Sequence, residues 1–173
     1  MDNNDFRTFS EYMRKEDNSL TASMEDYLEM IYRLSINTGF TRIHELSDAL
    51  NVQPPSATKM VQKLGELNLL KYEKYGFIML EERGEKVGKA LLKRHNTIEA
   101  LLKILGVSEK VILAETEKVE HTLSDETIKC LEEYIDFIKD NPEVVIRFNA
   151  YRSVKEADNK DPHEIKIVSS IEE

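Results

Sequence analysis

A single cysteine, Cys130, in a chain of 173 residues excludes an intramolecular disulfide and a CxxC zinc knuckle. No apolar run reaches membrane-spanning length, so no transmembrane helix is expected. The stretch from Met1 to Asn18 is polar and lacks the apolar centre of a secretory signal. Neither a nucleophile–base pair nor a phosphate-cradling glycine loop stands out, so no enzyme and no small organic substrate are implied. The expectation from these absences is a cytoplasmic protein without a membrane partner. Positive charge is also scarce. The formal net charge is −9, which argues at first sight against a polyanion such as DNA.

What is present is a separation of charge along the chain. Residues 42–94 hold ten Lys or Arg against seven Asp or Glu, whereas residues 108–140 hold four against ten. The asymmetry is more informative than the total. One segment suits a polyanion and the other suits cations.

The acidic segment contains Glu117-Lys118-Val119-Glu120-His121. On a helix, Glu117, Glu120 and His121 share one face. Like charges at that spacing repel, so a positive group belongs among them. A divalent cation is the sharper choice, because carboxylates with imidazole suit Mn, Fe or Zn. The plainer alternative is a solvated acidic face.

Residues 1–22 form a polar extension, read as a flexible arm. Residues 23–84 read as a compact head. Ser23 is the expected N-cap of a first helix, with Glu25 in the first turn and Asp26 at N3. Leu28, Ile31, Tyr32 and Ser35 form its stripe, and Gly39 stops it. Asp26 and Glu29 lie on one face, with service to the helix dipole and water as the plain reading of both. Thr41 to Val52 reads as a short amphipathic helix and a turn, with Ile43, Leu46, Ala49 and Leu50 as its apolar face. Pro54 and Pro55 fit the entrance of the next helix, with Val61, Leu64 and Leu67 on its buried side.

Two short helices joined by a tight turn read as helix-turn-helix. The exposed positions expected on the second helix are Ser56, Ala57, Thr58, Lys59, Gln62 and Lys63. No acidic residue falls between Asp48 and Glu66, which suits a helix entering the major groove. Leu69 to Glu73 and Phe77 to Leu80 read as two strands around Lys74-Tyr75-Gly76. That hairpin is the wing of a winged helix-turn-helix, with Lys74 and Tyr75 placed to reach phosphate.

Residues 85–142 read as helical. One long helix runs from Glu82 to Leu105 and ends at Gly106, with His95 inside it. Ser108 caps a helix carrying the acidic motif, and Ser124 caps another with Ile128, Leu131, Ile135 and Ile138 as its stripe. Two long apolar faces exceed what one winged helix covers, so a homodimer is expected.

With these residues in place the chain resembles the diphtheria-toxin-repressor family of metal-dependent repressors, on its manganese-transport-regulator branch. The likeness is carried by Ser23 to Glu29, Pro55 to Leu64, Tyr72 to Tyr75, Arg94-His95, and Glu117 to Ser124. The resemblance implies that Asp26, Glu29, His95, Glu117, Glu120 and His121 bind two Mn²⁺ per chain, with Fe²⁺ or Zn²⁺ as alternatives. Glu29 and Glu120 are the implied shared ligands. Iron-responsive relatives place sulfur ligands where this chain has Asp26 and Glu117, and oxygen favours Mn²⁺. Those relatives also carry an SH3-like domain, for which the residues after Pro142 are too few.

The expectation is therefore a mainly α protein. A winged helix-turn-helix with a small β-hairpin wing (23–84) precedes a helical dimerisation and metal-binding domain (85–142). Residues 143–173 form a C-terminal tail, with Glu143 to Arg152 either a strand or the start of a helix, and His163 solvated. The expected function is a manganese-responsive repressor of metal uptake genes. It reads double-stranded operator DNA through Ser56, Thr58, Lys59, Gln62, Lys74 and Tyr75. The rivals are the same architecture sensing Fe²⁺, Zn²⁺ or an organic ligand, and a di-metal hydrolase or metal store.

Overall fold

The structure is a computed structural model that describes residues 20–73 and 76–158. The chain divides into two compact units, with the division between Leu92 and Lys93. The expectations for residues 1–19, Lys74, Tyr75 and 159–173, His163 included, fall outside the described residues.

The first unit begins with α1 (Ala22–Ser35). Its N-cap is Thr21 rather than the expected Ser23: Thr21 Oγ1 accepts from the Met24 amide at 3.3 Å. Two hydroxyl residues stand two positions apart, and the apolar stripe begins too late to choose between them. Gly39 does end the segment, with φ +77 and its amide on the Ser35 carbonyl, a conformation that costs other residues a Cβ clash.

Thr41 and Arg42 form a strand, β1, and not the start of a helix. They pair antiparallel with Ile78 and Phe77 of β3. Glu45 Oε2 then accepts from Thr41 Oγ1 and from the Arg42 amide, each at 2.9 Å, which ends the strand and starts α2 (Ile43–Ala49). A two-residue strand is too short to show a period of two, so the sequence pattern hid it.

The chain turns through Asn51 at φ 51 into α3 (Pro54–Glu66), with proline at its first two positions. Its buried face is Ala57, Val61 and Leu64, all at 0% exposure. Ala57 was expected outside and is inside, because 57, 61 and 64 share one helical stripe. Leu67 was expected inside, but it is the C-cap and is exposed.

β2 (Leu70–Tyr72) and β3 (Phe77–Leu80) pair antiparallel in the register Leu70↔Leu80 and Tyr72↔Ile78. The sheet order is β1-β3-β2. The core of this unit joins Leu28 and Ile31 of α1, Leu46 of α2, the α3 stripe, Leu69, Leu70 and Ile78. Helix α4 (Glu82–Ile104) starts here and approaches closely at Gly84, where a Cβ would meet the Leu69 carbonyl oxygen at 1.8 Å.

The second unit holds the C-terminal part of α4, then α5 (Glu109–Val119), a 3-10 turn (Glu120–Thr122), α6 (Asp125–Asp140) and α7 (Pro142–Asp158). Gly106 at φ +72 ends α4. The Ser124 hydroxyl accepts from the Thr127 amide at 3.2 Å and caps α6. Ile128, Ile135 and Ile138 are buried on α6, whereas Leu131 is half-buried. The stretch Glu143 to Arg152 is helical, with Pro142 in the first helical position. Arg152 donates from Nη1 to the Leu105 carbonyl at 2.6 Å, tying α7 to the end of α4. No helix among the described residues is long and apolar enough to cross a membrane.

Candidate metal centre and DNA-reading helix

In the second unit four of the expected ligands converge. Helix α4 presents His95, which is 3% exposed. The acidic motif departs from the expected geometry, because α5 stops at Val119 and Glu120, His121 and Thr122 make one tighter turn. Glu120 keeps helical angles, φ −59 and ψ −33, so its carboxylate still points with that of Glu117. Glu120 is 1% exposed. Its Oε2 lies 3.2 Å from His95 Nδ1 and its Oε1 3.8 Å from His121 Nε2. Glu117 Oε1 is 3.7 Å from the same His95 nitrogen, on a half-exposed side chain.

Each of these contacts sets a carboxylate oxygen against a ring nitrogen. One positive centre has to lie between two such lone pairs, either a proton on the imidazole or a metal ion. A desolvated carboxylate flanked by two imidazoles is expensive without one. The donor set is oxygen with imidazole nitrogen and contains no thiolate. It fits Mn²⁺, Fe²⁺ or Zn²⁺ and disfavours metals that demand sulfur.

Asp26 and Glu29 sit in the first unit, three residues apart on α1. Asp26 is half-buried and Glu29 is 7% exposed. Arg33, one turn on, binds Glu29 Oε1 through Nε at 2.8 Å and also through Nη2. The reading of the sequence passed over Arg33, although its i,i+4 spacing from an acidic residue was visible.

On α3, Ser56, Lys59, Gln62 and Lys63 are exposed. Thr58 is half-buried and its hydroxyl donates to the Pro54 carbonyl at 2.9 Å, which commits its one proton and leaves the oxygen as an acceptor. Lys74 and Tyr75 lie outside the described residues. Lys71 is committed elsewhere: its ammonium lies 2.6 Å from Glu81, and that hydrogen bond holds its pKa above the ordinary lysine value.

The sequence also gave no reason to single out Arg42. Its guanidinium lies 4.7 Å from the centre of the Phe77 ring and 5.7 Å from that of Phe40. The two rings meet edge to face at 4.9 Å. Such stacking restrains the cation while leaving its in-plane donors available. Through the register Arg42↔Phe77 it stands at the end of β3 next to the hairpin turn.

The iron dependent repressor N-terminal DNA binding domain matches residues 19–78, and the iron dependent repressor metal binding and dimerisation domain matches residues 81–145. The chain is 41% identical over 133 residues to the HTH-type transcriptional regulator MntR of Lysinibacillus sphaericus, covering 77% of this chain and 96% of that protein. It is 39% identical over 141 residues to MntR of Bacillus pumilus, covering 82% and 98%. Among solved structures it is similar to the manganese regulator SloR, at 28% identity and a TM-score of 0.59 over 68% of this chain. It is also similar to T. acidophilum IdeR, at 27% and 0.58 over 69%. The chain spans 55% of the length of each of these two solved proteins.

Proposed function

Because the chain belongs to the iron-dependent repressor family, with a DNA-binding domain followed by a metal-binding and dimerisation domain, we propose that it is a manganese-responsive transcriptional repressor of metal uptake genes. The observation that carries this reading is Glu120, buried with an imidazole against each of its oxygens. His95, Glu117, Glu120 and His121 hold the metal from the second unit, and Asp26 and Glu29 complete the set from α1. Two ions per chain, sharing Glu29 and Glu120, follow from the family likeness. Manganese is favoured by the carboxylate-rich donor set and by the names of the relatives.

A bound divalent ion supplies positive charge and fixed ligand directions. The residues of the chain do the rest. Ligands contributed by α1 and by the second unit make metal occupancy a restraint on where the reading helix points. Restraint is needed, since two dications per chain would move the net charge only from −9 to about −5, still acidic. Neutralisation alone therefore cannot account for activation.

Ser56, Thr58, Lys59 and Gln62 of α3 are the proposed groove contacts. Lys74, Tyr75 and Arg42 are the proposed contacts to flanking phosphate. A homodimer gives two reading helices and a two-fold-related site. Exposed Leu113, Phe137, Ile146 and Tyr151 of the second unit supply apolar surface of the kind a dimer covers.

Titration with Mn²⁺ tests the ligand set. His121→Ala should lose affinity by about tenfold or more, and Glu115→Ala, on an exposed side chain of the preceding helix α5, should not. Equal affinities in the two variants would refute the assignment.

A further inference from the structure

Glu29 already carries a cation. Arg33 places both Nε and Nη2 on one oxygen of that carboxylate, Oε1. The pair is not an ordinary surface i,i+4 bridge, which contributes little. The Glu29 side chain is 10% exposed and that of Arg33 34%, so solvent screens the pair only in part.

Two opposite effects on metal binding follow. The hydrogen bonds hold Glu29 in one orientation, which favours a ligand. The guanidinium charge repels an incoming dication and occupies one of two ligand oxygens, which disfavours it. The magnitudes decide between them. Repulsion scales with the product of the charges, doubled here by the dication, and acts where screening is incomplete. An orienting hydrogen bond on a helix-borne carboxylate is the smaller effect. Nor can the arginine withdraw by losing its proton, as a lysine or histidine can.

We propose that Arg33 is a resident competitor for Glu29, setting the free-metal concentration at which the site fills. The proposal rests on the reading of Glu29 as a metal ligand. In the absence of metal Arg33 satisfies the buried carboxylate; as metal rises, it must yield Oε1 or tolerate a neighbouring dication. Either way the threshold for occupancy is raised.

The test is titration of the full chain with Mn²⁺, followed by the electron paramagnetic resonance of the free ion. Arg33→Gln and Arg33→Met remove the charge with good helix formers, and both should bind Mn²⁺ at least about tenfold more tightly than the unaltered protein. Arg33→Lys keeps the charge and should stay within about threefold of it. Circular dichroism without metal checks that α1 is intact in each variant. Equal or weaker binding in Arg33→Gln and Arg33→Met overturns the proposal, as does an Arg33→Lys variant that tightens as much as they do. Glu29→Ala separates this inference from the functional reading. If Glu29→Ala weakens Mn²⁺ binding while Arg33→Gln fails to strengthen it, only the competitor role falls. If the unaltered protein binds no Mn²⁺, or Glu29→Ala binds it as well, the ligand assignment falls and the competitor role with it.

Discussion

Replacing Glu120 by glutamine should separate the stability of the metal-free protein from the stabilisation by metal. The side chain is nearly inaccessible and faces His95 at 3.2 Å and His121 at 3.8 Å. Glutamine keeps the volume and an acceptor oxygen but loses the charge. Without metal, two effects oppose: a charge-assisted hydrogen bond is lost, worth about 1.5–3 kcal/mol, and a buried charge no longer needs desolvation, a relief of similar size. The metal-free variant should therefore lie within about 1 kcal/mol of the unaltered protein. With metal the two diverge. At a free Mn²⁺ concentration 100 times the Kd, one site adds about 2.7 kcal/mol. For a chain of this size that corresponds to a rise in Tm of roughly 5–10 °C. Scanning calorimetry in chelator and then in Mn²⁺ should show that rise in the unaltered protein and almost none in Glu120→Gln. A variant that keeps the full rise would show that Glu120 is not a ligand. One that loses the same amount of stability in chelator would show that its role is structural.

Three further outcomes are expected. Gly84→Ala drives a Cβ into the Leu69 carbonyl oxygen and should destabilise the first unit by about 1–3 kcal/mol in urea unfolding, whereas an unchanged midpoint would mean the contact relaxes freely. The Thr41 hydroxyl, the Arg42 amide and the nearby His44 and Arg42 charges hold the Glu45 pKa below the ordinary glutamate value. The stability this gives is present above that ordinary value and disappears as pH falls through the lowered one. Glu45→Gln should thus be less stable than the unaltered protein at pH 7 and match it in acid; a gap that persists in acid would contradict the linkage. Arg42→Gln should reduce the salt dependence of DNA binding by about one unit of slope, and an unchanged slope would remove Arg42 from the phosphate contacts.

The long elements were legible because their periods repeat. Helix α4 and the stripe Ile128, Ile135, Ile138 of α6 give several turns of signal. The wing was legible because turn chemistry at Gly76 separates two apolar runs. What the sequence hid was local or two-residue structure. Nothing in Thr41-Arg42 distinguishes a strand from the first turn of the helix that follows, and the pairing that decides it comes from Ile78 and Phe77, distant in sequence. Ala57 was misplaced because a small residue signals neither face. The common face of Glu117, Glu120 and His121 was readable from spacing, which left a metal site and a solvated acidic face both open, but the tightening of the chain at Glu120 was not. Asp26, Glu29 and His95 rested on family likeness. The stacking of Arg42 on Phe77 and the fork of Arg33 on Glu29 needed side-chain geometry.

Metal-dependent DNA binding is tested most directly by measuring both halves of one thermodynamic cycle. Duplexes selected from a random pool in Mn²⁺ supply the DNA. Its affinity is measured by fluorescence anisotropy in chelator and in saturating Mn²⁺, and the affinity for Mn²⁺ is measured with and without that duplex. Coupling through a shared orientation of the reading helix predicts that Mn²⁺ tightens DNA binding by a factor of about 5–150, and that DNA tightens Mn²⁺ binding by the same factor. The coupling should vanish in Glu120→Gln. Equal DNA affinity in chelator and in Mn²⁺ would contradict a metal-activated repressor.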